Sequence, residues 1–216
     1  MPRWKPVETW KDRDVFIIGG GDSLKSFDWD LLKSECTIGC NSAFILGSEI
    51  CKICFFGDSK WFKEFHTDLV KFDGLVFTSH RDFAYKKDDW IWYIPRHAKG
   101  LNIARLGWNK NTGASAVHLA LMLGAKNVYL LGFDMKLSQS GRPNWHDKVI
   151  DKPDNEIYKK FCKAFVQVAQ DIPGKYPGRM VVNVTDSSNL AVFPKIGVAE
   201  FWNNRVSEGL RKAKNG

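Results

Sequence analysis

The sequence predicts an α/β fold: a single Rossmann-like domain with a mainly parallel sheet and helices on both faces. Three observations predict it. Short apolar runs, several of them β-branched, recur along the chain at the length of buried strands. Segments with helical spacing separate them, as crossovers between parallel strands require. Glycines and small polar residues close those runs, most sharply at Gly19-Gly20-Gly21.

Val15 to Ile18 is the first strand, four apolar residues ending at the three glycines. Asp22 and Ser23 stand where they can cap a following helix. Asp28-Trp29-Asp30-Leu31-Leu32 reads as a short helix or turn. Cys36 to Gly39 is the second strand, closed by Cys40-Asn41-Ser42. Ile50 to Phe56 is the third, closed by Gly57-Asp58-Ser59, and Trp61 to Val70 has helical spacing. Leu75 to Thr78 is the fourth strand and Trp90 to Pro95 a fifth. Thr112 or Asn111 caps a helix of small residues that stops at Gly124. Asn127 to Leu131 is a strand ending in Gly132-Phe133-Asp134. Ile157 to Gln170 is an amphipathic helix, and Val181 to Val184 is the last strand.

The 216 residues suit one domain over 1–216, with its core at about 14–195 and a basic tail at 205–216. No apolar run approaches the roughly 20 residues that span a bilayer. The opening Met-Pro-Arg-Trp-Lys-Pro lacks the apolar centre of a secretory signal. The expectation is a cytoplasmic protein without a membrane span. Five cysteines, an odd count set mostly in apolar runs, argue against a disulfide framework; Cys51-Lys52-Ile53-Cys54 reads as two small buried hydrophobes rather than half a zinc site. The formal charge of +8 suits a polyanionic partner: nucleic acid, an anionic membrane face or phosphorylated small molecules. It is spread along the chain, with local density at Lys86-Lys87, at 96–110 and in the tail. Nine tryptophans are many for this length; most read as packing, and a minority as platforms for a base or sugar.

In doubly wound sheets, ligands sit beyond the carboxyl ends of the strands, where the strand order reverses. That rule gathers Gly19, Gly20, Gly21, Asp22, Ser23, Asn41, Asp58, Thr112, Gly113, Gly132 and Asp134 onto one edge. Glycine turns leave backbone N–H groups open to phosphate, and helix N-termini add the positive end of their dipole. The turn is neither G-x-G-x-x-G, since residue 24 is Leu, nor a Walker A loop, since no Gly-Lys-Ser/Thr follows. Asn41 and Asp58 also suit local turns, and Thr112 suits a simple cap. Asp134 can accept from a ribose hydroxyl or base amine, or hold a divalent ion. His146, in the polar loop 138–148, is the candidate for proton transfer, with Asp147 beside it to raise its pKa. His118, inside the small-residue helix, reads as packing.

In this order, these motifs resemble the bacterial lipooligosaccharide sialyltransferases. Ile17-Ile18-Gly19-Gly20-Gly21-Asp22-Ser23-Leu24 resembles that family's G-x-G-P-S-L opening, and Cys40-Asn41 its C-N. Thr112-Gly113-Ala114 resembles its T-S-G, and Leu130-Leu131-Gly132-Phe133-Asp134 its L-S-G-I-D-F. The opening and the G-x-D strand are also similar to those of 6-hydroxymethylpterin diphosphokinases of the archaeal type. The resemblance spans roughly 14–195. It implies a variant glycosyltransferase fold and a CMP-sugar donor held around Gly21, Ser23, Asn41, Thr112, Gly113, Gly132 and Asp134. It implies His146 as general base, with no metal required. Asp22 replaces the family's Pro, Gly113 its Ser, and Asp58 stands where Asn is expected. The tyrosine pair that assists the leaving phosphate is missing from the loop after Asp134; Lys136, Arg142 and Trp145 stand there instead.

The expected function is a glycosyltransferase-like enzyme with a nucleotide-sugar donor, Asp134 and His146 at its chemical centre, and an acceptor that the +8 charge allows to be nucleic acid. The alternatives are a diphosphokinase, with Mg²⁺ on Asp134 and Asp58, and a non-catalytic nucleic-acid-binding module.

Overall fold

A computed structural model describes residue 4 and residues 7–85, 89–150 and 154–215. Lys86-Lys87 and Gly216, parts of the basic segments noted above, lie outside the described residues. Seven parallel strands form the central sheet: β1 (Asp14–Ile18), β2 (Cys36–Cys40), β3 (Ile53–Phe56), β4 (Leu75–Thr78), β5 (Ile91–Tyr93), β8 (Asn127–Leu131) and β9 (Met180–Asn183). Their spatial order is β5-β4-β3-β2-β1-β8-β9, and every pairing is parallel. Two-residue strands β6 (Arg96–His97) and β7 (Leu106–Gly107) form a separate pair. Among the described residues four α-helices cover the sheet: α1 (Ser59–Leu69), α2 (Thr112–Met122), α3 (Asn155–Lys175) and α4 (Val198–Asn215).

Alternating strand residues feed opposite cores, the mark of a sheet covered on both faces. Val15, Ile17, Ile38, Phe55, Val128 and Leu130 pack toward α2 and α3. Phe16, Ile18 and Leu131 face α4, while Cys54 and Phe56 face α1. Every residue of α2 from Gly113 to Met122 is buried, so this helix is covered all round and lies sandwiched between sheet and α3. Gly124, at φ 93°, ends it in the left-handed conformation that glycine adopts without strain.

Four expectations change. First, no α-helix follows the glycine turn. Asp22–Leu24 is one 3₁₀ turn with no side-chain cap, because Ser23 turns its N–H and hydroxyl to Asp134, 111 residues away. Second, β3 starts at Ile53; Cys51 instead closes a turn onto the Gly47 carbonyl. Third, the basic tail is α4. Its Phe201 is buried, its Trp202 stacks on Phe16 (5.5 Å between centroids), and its Arg205 binds Asp14 and Glu35. Fourth, packing extends beyond 14–195 at the other end too, where Trp4 meets Phe77 edge-on at 5.7 Å. All five cysteines are free, and burial pushes the Cys51 thiol up to about 12, so it behaves as a small hydrophobe.

Candidate functional site

Strand order reverses between β1 and β8. The chain builds outward from β1 to β5 on one side, then returns to place β8 and β9 on the other. A cavity of about 540 Å³ opens at the carboxyl ends of these strands, a volume typical of small-ligand sites. Of the residues the sequence proposed, Gly19, Gly20, Gly21, Asn41, Asp58, Thr112, Gly113, Gly132, Asp134 and His146 line it; Asp22 and Ser23 do not.

The glycine turn is fixed by its neighbour. Gly19 N–H donates to the Leu131 carbonyl and Gly21 N–H to that of Gly132, both at 2.8 Å. A Cβ on Gly21 would sit 2.3 Å from Asp134 Oδ1 and 2.7 Å from the Gly132 oxygen, so only glycine allows this approach. Gly132 itself has φ 68°. The turn thus spends the N–H groups of Gly19, Gly21 and Ser23 internally. Among the described residues that of Gly20 makes no hydrogen bond. Asp134 is buried, and each of its oxygens accepts from Ser23: the N–H at 2.9 Å and the hydroxyl at 2.5 Å.

The helix N-terminus expected after the glycine turn is supplied by α2 instead. Asn111 caps it, its Oδ1 accepting from Ala114 N–H at 2.8 Å. The first two N–H groups of the helix, on Thr112 and Gly113, have no hydrogen-bond partner among the described residues and sit on the cavity wall. Gly113 is required for packing, since a Cβ there would lie 2.5 Å from the Phe133 ring.

Asn41 holds φ 52° at the end of β2, a conformation that Asn tolerates, and its buried Oδ1 has no partner. Asp58 caps α1, accepting from Lys60 N–H at 2.7 Å, and is otherwise exposed. The two carboxylates named as a Mg²⁺ pair are therefore both occupied by donors. Among the described residues no three His, Cys, Asp or Glu side chains gather to hold a metal.

His146 lines the cavity with its Nδ1 buried and unpartnered. Its pKa moves opposite to the expectation from Asp147. Burial lowers it from 6.5 to about 4 and outweighs the Asp147 charge, which the Arg142 guanidinium engages at 2.9 Å. The imidazole is thus neutral at physiological pH. Arg142, which the sequence offers to a leaving phosphate, lies between Asp147 and, at 3.9 Å, Asp22. His118 is wholly buried, as expected of packing. Its Nδ1 accepts from Gly107 N–H at 2.7 Å, which leaves Nε2–H to donate to the Asn102 carbonyl at 2.8 Å.

The cavity also gathers residues that sequence reasoning missed. Trp61 and Trp108 come from the tryptophan surplus, Lys110 from the basic stretch 96–110, and Tyr158 and Phe161 from the first turns of α3. The Arg96 guanidinium lies 4.1 Å from the Trp108 ring centre. Lys148 is paired with Asp68, and Lys136 donates to the Ser187 carbonyl, whereas Lys110 is exposed with no partner among the described residues. Burial and the Asp134 charge push the Tyr158 phenol up to about 12, so it stays an O–H donor. The signal for Tyr158 was available: it opens an amphipathic helix that enters from the carboxyl edge of the sheet.

No protein-family model and no curated protein matches the chain. Solved structures do. One is the sialyltransferase CstII from Campylobacter jejuni in complex with a substrate analogue, cytidine-5'-monophosphate. It aligns with a TM-score of 0.52 and 17% identity over 87% of this chain and 86% of that one. A second is the same enzyme in complex with CMP-3FNeuAc, at TM-score 0.50 and 17% identity over 86% of each chain. The shared property is the fold. The sialyltransferase-like architecture implied by the strand-end motifs is thus present.

Proposed function

We propose that this chain is a glycosyltransferase-like enzyme that takes a nucleotide-activated sugar donor, with His146 as general base on an acceptor hydroxyl. One observation carries the reading: the N–H groups of Gly20, Thr112 and Gly113 and the Lys110 ammonium, all without partners among the described residues, share a single cavity with a neutral His146 at the strand-order reversal. Free N–H groups and a helix N-terminus suit phosphate. A neutral imidazole has a ring nitrogen with a free lone pair to take a proton, its basicity weakened by burial. The CMP-bearing structures of similar fold add support for a nucleotide donor.

In this mechanism His146 takes the proton from the acceptor hydroxyl as that oxygen bonds to the anomeric carbon of the donor. The bond between that carbon and the donor phosphate oxygen breaks, and the nucleotide leaves with the electron pair. Negative charge grows on the phosphate, where Lys110, the Tyr158 hydroxyl and the N–H groups of Gly20, Thr112 and Gly113 stabilise it. The Asn41 side-chain Oδ1 accepts a hydrogen bond from a sugar hydroxyl or base amine of the nucleotide. Asp134 acts through Ser23, holding the glycine turn against β8. No step needs a metal.

The test is sugar transfer and donor hydrolysis by the wild type and His146→Ala. Loss of roughly 10²- to 10⁴-fold is expected for a general base. A variant as active as the wild type removes the mechanism.

A further inference from the structure

The loop that carries His146 is strapped across the mouth of the cavity at several points. On the β1 side, Trp145 donates its backbone N–H to the Gly20 carbonyl and its indole Nε1–H to the Gly19 carbonyl, both at 2.9 Å. On the far side, the Lys148 carbonyl accepts from the Ser42 hydroxyl at 3.2 Å, and the Lys148 ammonium pairs with Asp68 of α1. His146 lies between these anchors. The indole of Trp145 meets it edge-on, with ring centres 4.7 Å apart and planes at 85°. The same indole leans on Trp29 at 5.0 Å, which fixes its other side.

The geometry points to Trp145 as a positioning residue that clamps His146 to the glycine turn, so that the turn meeting the donor phosphate also sets the place of the base. This rests on the general-base reading above. Trp145 engages consecutive glycine carbonyls, one through its indole N–H and one through its backbone N–H, so its ring cannot shift without disturbing the turn. A phosphate seated on Gly20 N–H would therefore stiffen the same few residues that aim the imidazole. Misplacing a catalytic group by about 1 Å costs up to roughly 100-fold in rate. Trp145 touches neither donor nor acceptor in this scheme; it acts through His146.

The clamp also accounts for the state of the imidazole. Charged groups around the loop are Asp147, which favours the protonated ring, Lys148, which opposes it, and Arg142 and Asp22, which face one another beside Asp147. Burial outweighs them, and the Trp145 indole packed edge-on against the imidazole is one of the groups that cover it.

The experiment is an NMR titration of His146 in the wild type and Trp145→Phe, paired with steady-state kinetics. Phenylalanine keeps an aromatic ring beside His146 and deletes the indole N–H. The clamp predicts a His146 midpoint that rises by a unit or more toward 6.5 and a kcat lowered roughly 10- to 100-fold, with donor KM within about twofold. An unchanged midpoint overturns the proposal, whatever the activity. The wild type provides an arm that needs no variant: the Trp145 indole N–H should exchange with solvent far more slowly than a free indole, and free exchange overturns the clamp. Failure of the general-base reading looks different, because His146→Ala would then retain transfer while the Trp145→Phe titration still shifted.

Discussion

The two ends of the sheet treat polar groups in opposite ways. At the amino ends of β1 and β8, charges pair with one another. Arg205 of α4 binds Asp14 at 2.5 Å and Glu35 at 2.8 Å, Asn127 donates to Asp14, and Arg179 reaches Asp12. The Arg205 guanidinium also lies within 5.2–5.9 Å of the ring centres of Phe16, Tyr129, Phe201 and Trp202. At the carboxyl ends, the Asn41 Oδ1, the His146 Nδ1 and the Lys110 ammonium have no partner among the described residues. Burying an unsatisfied polar group costs stability, so the buried Asn41 Oδ1 and His146 Nδ1 facing one cavity mark the edge where a ligand would offset that cost. Paired charges hold the amino edge; the carboxyl edge is where the proposed site lies.

The sharpest way to break this contrast is to remove one group from each edge and measure both rate and stability. His146→Ala should lower transfer by the factor given above while leaving the urea-unfolding free energy within about 1 kcal/mol, because its Nδ1 has no hydrogen-bond partner among the described residues. Arg205→Ala should do the reverse. Stranding the two half-buried carboxylates and uncovering the aromatic rings should cost about 2–4 kcal/mol, with kcat unchanged in the folded protein. Equal effects of the two variants on stability would erase the distinction.

A pH series sharpens it further. The folded-state pKa values of His118 and His146 lie near 4, below the ordinary 6.5. The unfolded chain therefore binds more protons than the native one between pH 6.5 and 4. The stability due to these two rings is complete above 6.5 and is lost as the pH falls toward 4, by about 3 kcal/mol per ring at most. His146→Ala should remove one of the two protons from this linkage. The transfer rate should retain its base to well below pH 6.

The smallest expected effect is at Lys110. Lys110→Ala should weaken nucleotide binding about 3- to 10-fold, with loss of salt sensitivity, and leave stability unchanged, as for an exposed charge. Calorimetric titration at two ionic strengths checks it.

Much of this architecture was legible in the residues. Runs such as Val15 to Ile18 and Ile53 to Phe56 are buried on both faces and carry no polar alternation, so their apolar continuity marks parallel strands directly. Asn111 before Thr112-Gly113 marked the start of α2 through local cap chemistry. What escaped depended on distant partners. A helix after Gly21 is a sound local inference, but Ser23 bonds Asp134 instead, across 111 residues. The basic residues of α4 hide a stripe, Phe201, Trp202 and Arg205, that has meaning only against Phe16. Strands β6 and β7 have two residues each and carry no periodicity. In the site, the glycines and Asn41 declare themselves by residue type. Tyr158 and Trp108 arrive by tertiary packing, and the depressed basicity of His146 follows from burial that no neighbour in sequence foretells.

The most direct test of a nucleotide site at the carboxyl edge is a thermal-shift screen of the purified chain against CMP, UDP, GDP and ATP, with and without Mg²⁺. The account predicts that one nucleotide stabilises the protein without metal, by about 2.7 kcal/mol at 100-fold excess over Kd. It also predicts that Lys110→Ala diminishes that shift. No stabilisation by any nucleotide, alongside tight and steeply salt-dependent binding of DNA, would contradict it.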